Sequence, residues 1–167
     1  MGQIIEARFT EILPGENGFV PGLIKNVIDF SKRETKILPP PVRKTTYKKQ
    51  EKFIHLDGRH RLLFRKMQGL DTTELYLADS PGDLMTESQF PYASSYYLGE
   101  TNSHLSRRWH HVETEHLWIN QFGGIVDFND LFVALTKRFP YMRTIESFEN
   151  YIKRNPEELT KAYGSVY

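Results

Sequence analysis

Asp57-Gly58-Arg59-His60-Arg61 places a carboxylate, two guanidinium groups and an imidazole within five consecutive positions. The pentad follows an apolar run, Phe53-Ile54-His55-Leu56, and precedes Leu62, Leu63, Met67 and Leu70, whose spacing predicts a helix. Arg59, His60 and Arg61 therefore fall in the first helical turn. Unpaired N–H groups and the positive end of the helix dipole already suit that place to an anion. Exposed cations there oppose the dipole by roughly 0.3–1 kcal/mol each, so stability alone gives no reason for them. A bound phosphate or carboxylate does. The structural alternative is two solvated arginines and one packed histidine.

The elements that must position the pentad are read from periodicity and breakers. Residues 3–12 alternate through Ile5, Ala7 and Phe9 and predict an opening strand, which Leu13-Pro14-Gly15-Glu16-Asn17-Gly18 interrupts. Phe19 to Lys32 predicts a helix with Leu23, Ile24, Val27 and Ile28 on one face. Pro39-Pro40-Pro41 enforces an extended approach to a strand over 42–47, which pairs through a turn at 48–51 with the strand entering Asp57. Gly69 stands where a helix end favours positive φ, and Glu74 to Asp79 predicts a further strand. Strand, turn, helix and strand from 53 to 79 read as a minimal β-α-β unit.

The pentad and its flanking elements resemble the signature of the ParB/sulfiredoxin-like superfamily, over about residues 1–86. Its members include ParB partition proteins, sulfiredoxins, a free-serine kinase and DGQHR-domain proteins. Against D-G-Q-H-R, Asp57, Gly58, His60 and Arg61 match and Arg59 replaces Gln. Against the ParB box G-E-R-R-x-R-A only Gly58 and Arg61 match, and against the serine-kinase D-G-H-T-R, Asp57, Gly58 and Arg61 do. The sulfiredoxin G-G-C-H-R shares Gly58, His60 and Arg61, but its catalytic cysteine falls on Arg59. With no cysteine in the chain, sulfinic acid repair is excluded. The resemblance implies an α/β (α+β) fold with a small mixed sheet and a nucleotide phosphate or phosphoryl group held at this turn.

The 167 residues, 39% hydrophobic and 13% aromatic, suffice for a sizeable core. The organisation expected is a nucleotide-binding domain over 1–86 and a loop plus helical C-terminal extension over 87–167, packed on it. No apolar run approaches the roughly 20 residues that span a bilayer, and no thiol framework is available, so the expectation is a cytoplasmic protein without a membrane partner. A net charge of +1 hides a local excess. Arg43, Lys44, Lys48, Lys49, Lys52, Arg59, Arg61, Arg65 and Lys66 face only Glu51 and Asp57, nine against two. Protected strand edges and phosphate-rich ligands both account for this.

Beyond Asp79, Ser80 to Asp83 predicts a turn or a short helix start, and Gln89 to Ser106 shows no clear period. Arg107 to Phe122 predicts a helix with Trp109, Val112, His116 and Ile119 on one face, followed by short helices starting near Asp127 or Asn129, at Thr144 and at Asn155-Pro156. His104, His110, His111 and His116 lie beside Glu113 and Glu115, yet their spacing matches no zinc signature, and no metal site is assigned. Residues 127–161 carry six cations and six anions, which is no electrostatic footprint for DNA.

The expected activity is nucleotide-dependent phosphoryl transfer or hydrolysis. Gly58 would let the backbone approach the phosphates, Arg59 and Arg61 would neutralise them, His60 would donate a hydrogen bond and Asp57 would act as base or magnesium ligand. Asp57 and His60 are thus the candidate catalytic pair, and the structural role of Asp57 would be to cap the helix. The cofactor expected is a nucleotide (ATP, ADP or CTP), with or without Mg2+. The alternative is a non-catalytic DNA-binding adaptor. DNA and a second copy of the chain stand as further candidate partners.

Overall fold

A computed structural model describes residues 2–33, 37–84 and 99–167. The strands are β1 (Gln3–Arg8), β2 (Ile12–Leu13), β3 (Pro41–Tyr47), β4 (Gln50–His55) and β5 (Thr72–Leu77). The helices are α1 (Pro21–Arg33), α2 (Arg59–Met67), α3 (Gly99–Gly123), α4 (Phe128–Arg138) and α5 (Ile145–Arg154). This is an α/β fold with a helical C-terminal part.

The five strands form one mixed sheet in the order β1-β5-β3-β4-β2. β1 pairs antiparallel with β5 and β3 with β4, whereas β2 with β4 and β3 with β5 are parallel. The opening strand expected over 3–12 is therefore two strands on opposite edges, joined by a 3-10 turn at Phe9–Glu11. In a flat sheet four inter-strand spacings would separate those edges by roughly 19 Å. Four residue steps from Arg8 to Ile12 reach at most about 14 Å. The sheet must curl until its edges approach, which the buried Phe9 side chain assists by entering the core. The expected β-α-β unit is also corrected: β3 lies between β4 and β5, and these two run in opposite directions.

Alternation along β4 assigns the two faces. Phe53 packs against the larger core, built from α1, α2, α4 and α5 through residues such as Ile24, Leu62, Phe128 and Phe148. Ile54 and Leu56 turn to the opposite side, where Leu105 and Val112 of α3 cover them. Residues of both the 1–86 and 87–167 stretches enter the larger core, so the last helices finish the burial of the sheet. The expected helix over 107–122 begins earlier, at Gly99. The polar run Glu100-Thr101-Asn102-Ser103 carries no apolar period that would announce it. Residues 89–98 of the irregular stretch lie outside the described residues. No helix among the described residues is long and apolar enough to cross a membrane.

Candidate functional site

β4 ends at His55, and Leu56 donates its N–H to the Pro41 carbonyl at 3.0 Å. The chain must then reverse within two residues to start α2. Gly58 makes the reversal at φ +85° and is itself the N-cap residue, with no side-chain capping bond. A Cβ there would stand 2.7 Å from Arg61 Nη2 and 2.8 Å from Pro40 Cβ, so glycine is required by conformation and by space. The capping role expected of Asp57 is thereby corrected, because Asp57 precedes the N-cap. Among the described residues its carboxylate makes no hydrogen bond or ion pair. The first helical bond is Leu62 N–H to the Gly58 carbonyl, so the N–H groups of the first turn point out of the helix end.

All five motif residues line one cleft of about 520 Å³, whose opposite wall is the apolar side of α1 with Leu23, Val27 and Phe30. Their charges are not equally available. Arg59 Nη1 donates to Glu16 Oε2 at 2.7 Å, and the other oxygen of Glu16 lies 3.0 Å from Arg108 Nη1. One carboxylate thus joins two guanidinium groups. Arg108 is almost fully buried and also pairs with Glu115 at 2.8 Å and donates Nε–H to the Leu56 carbonyl. Arg61 is 4% exposed and donates Nη1–H to the Leu38 carbonyl at 2.9 Å. It packs under Gly58 as a brace between α2 and the proline segment.

His60 Nε2 accepts the Val20 N–H at 3.0 Å, so any proton His60 donates sits on Nδ1. Burial, then the fields of Arg59 and Arg61, push its pKa down to about 3 and keep the ring neutral. Behind the motif lies His55, fully buried, with its ring edge-on to Phe128 and neither ring nitrogen hydrogen-bonded among the described residues. Burial holds its pKa well below the usual histidine range, and Arg108, Arg59, Arg61 and His60 add to the effect. The buried Arg59 Nε likewise has no acceptor among the described residues.

Glu16 and Arg108 are the residues that sequence reasoning passed over. Glu16 sits in a stretch read only as a chain break, and Arg108 lies in a helix whose face was drawn through Trp109, Val112 and His116. An acidic residue flanked by Gly15 and Gly18 was the one available signal. Glu16 and Arg59 also line a second recess of about 480 Å³, on the α3 side, with Trp118, Ile119 and Tyr163.

The basic stretch 43–66 does not form one stripe. Arg43 turns to α3, donating to the Trp109 carbonyl at 3.0 Å and to Glu113, while Lys66 reaches Asn129 on the other face of the sheet. Lys48 and Lys49 occupy the β3–β4 hairpin tip, both at positive φ. The histidine group of α3 is equally dispersed. His110 and His111 are exposed, and His116 is buried with Nδ1–H donated to the Pro14 carbonyl at 2.9 Å. The side chain of His104 lies outside the described residues. Among the described residues no three metal-capable side chains cluster.

No protein-family model matches the chain, and neither does any curated protein or solved structure.

Proposed function

We propose that the cleft at the start of α2 binds the phosphates of a nucleotide and carries phosphoryl transfer or hydrolysis, in a domain of ParB/sulfiredoxin-like type. The observation that carries the reading is the convergence of Asp57, Gly58, Arg59, His60 and Arg61 on one cleft at an uncapped helix start. The N–H groups of a helix start, next to a glycine that brings backbone close, are a phosphate-binding arrangement. Arg59 flanks them, and the neutral His60 leaves the local charge to the guanidinium groups. Arg61 acts as a positioning residue, because its buried side chain holds α2 to Leu38.

In the transfer step an acceptor hydroxyl or water attacks the terminal phosphorus, its proton passes to Asp57, and the bridging P–O bond to the departing phosphate breaks. The α2 N–H groups stabilise the charge that develops on the phosphate oxygens. Asp57 is suited to the proton because it makes no hydrogen bond or ion pair among the described residues. The same carboxylate, completed by phosphate oxygens, is the donor set that magnesium takes with nucleotides. When bound, that ion would neutralise phosphate charge.

Isothermal titration with ATP, ADP and CTP, with and without Mg2+, tests the reading together with Asp57→Asn. Nucleotide binding without metal should survive in Asp57→Asn, and turnover should fall by at least about a hundredfold, the lower end for a general base. Equal turnover of variant and wild type would remove Asp57 from the chemistry. Binding of a short DNA duplex that weakens steeply with salt, in place of nucleotide binding, would favour an adaptor.

A further inference from the structure

Glu16 and Arg59 form the partition between two recesses, the motif cleft and the recess on the α3 side. The second recess, at about 480 Å³, has room for one planar heterocycle with its sugar. Its α3 wall carries Trp118, 60% exposed, whose ring stacks on the equally exposed Phe122 at 5.1 Å between centroids and 29° between planes. The chain's other tryptophan, Trp109, is covered by the Arg43 guanidinium at 5.5 Å. Trp118 thus keeps a large aromatic surface in water beside a recess that contains two guanidinium groups. Polar groups capable of reading a ring edge stand at the same recess. Asn17 uses its amide nitrogen toward Ser165, and Glu115 uses Oε2 toward Arg108, so each keeps an oxygen that no described residue engages.

We propose that this recess is a nucleobase subsite, in which the ring of the ligand packs against Trp118 while its phosphates reach past Arg59 to the start of α2. The subsite rests on the phosphate site proposed above and specifies its ligand as a nucleotide rather than a simple phosphate. Arg59 and Glu16 line both recesses, so a ligand that occupies both passes this one pair of side chains. The apolar wall of α1, with Leu23 and Phe30, is the competing place for the ring, and the experiment separates the two.

The full chain is titrated with ATP, CTP and sodium tripolyphosphate by calorimetry, as wild type, Trp118→Ala and Trp118→Phe, with folding checked by circular dichroism. A Trp109→Phe background makes the emission report Trp118 alone. Nucleotides should change that emission and bind more tightly than tripolyphosphate. Trp118→Ala should weaken ATP and CTP by roughly 5- to 150-fold, the scale of one base–aromatic stack, and leave tripolyphosphate unaltered. Trp118→Phe should restore most of the loss. Trp118→Ala binding nucleotides like wild type, losing tripolyphosphate in parallel, or a wild type that does not prefer nucleotides would overturn the subsite and leave the phosphate site standing. No binding of either ligand class overturns both.

Discussion

At the starts of α4 and α5 the chain caps its helices with its own side chains. Asp127 accepts the Asp130 N–H at 2.9 Å, and Thr144 accepts the Ser147 N–H at 3.0 Å. At the start of α2 it does not: Gly58 has no side chain to offer, and Asp57 stands one residue too early. The contrast extends to buried polar groups. In the C-terminal helices Glu158, 4% exposed, accepts hydrogen bonds from Tyr141 and Tyr163 and pairs with Lys161 at 3.1 Å. Burial pushes its carboxyl up, and the bonds from Tyr163 and Lys161 more than offset that, holding it below the usual range. Around α2, the ring nitrogens of His55 and Arg59 Nε are buried without hydrogen-bond partners among the described residues. Buried polar groups are ordinarily satisfied, and the exceptions among the described residues are these two beside the motif and His116 Nε2 on α3.

Acid should break the comparison most strongly. Burial lowers the pKa of His55, His60 and His116, against an unfolded value of 6.5. A lowered histidine contributes stability that is complete above that value and is lost as pH falls, because unfolding takes up the proton. His55 and His60, the two strongly lowered, give a slope of about 2.7 kcal/mol per pH unit near pH 5, and His116 adds to the loss in the same direction. Glu158, also lowered, adds its own loss only below its usual 4.5. Urea melts at pH 7, 6 and 5 measure the slope, and a flat profile would contradict it. His60→Gln keeps an acceptor for Val20 and should flatten the slope by about 1.4 kcal/mol per unit.

Glu158→Ala breaks the satisfied side instead. Tyr141 and Tyr163 then lose their shared acceptor, and the expected destabilisation is about 3 kcal/mol, read as a shifted urea midpoint at pH 7. Gly58→Ala attacks the uncapped helix and should destabilise by about 2 kcal/mol. Gly69→Ala, also at positive φ but with open space around its Cβ, should lose only about 1 kcal/mol. Similar losses at both glycines would mean that the close approach of Arg61 and Pro40 to Gly58 is relieved without strain. The smallest expected effect is on the stability of Asp57→Asn, within about 0.5 kcal/mol, since the carboxylate neither caps α2 nor pairs with a described residue. A large drop in melting temperature would assign it a structural role after all.

The residues that form each element were legible from the sequence because the signals are local. Apolar spacing placed α1, α2 and the core face of α3, Gly69 was expected at positive φ and is found at +81°, and Thr144 was read as a helix start that its side chain indeed caps. The gathering of Asp57 to Arg61 at the start of α2 was local too, five neighbours in one turn. Tertiary structure alone decided the rest. Periodicity carries no information on which strands become neighbours, so the split of residues 3–13 between two sheet edges and the insertion of β3 between β4 and β5 could not be read. The availability of each charge was equally hidden. Arg59 and Arg61 look alike in the chain, yet one pairs with Glu16 to form the partition between two recesses and the other is buried against Leu38. Glu16 and Arg108, 92 positions apart, meet only because the curled sheet brings the loop after β2 against α3.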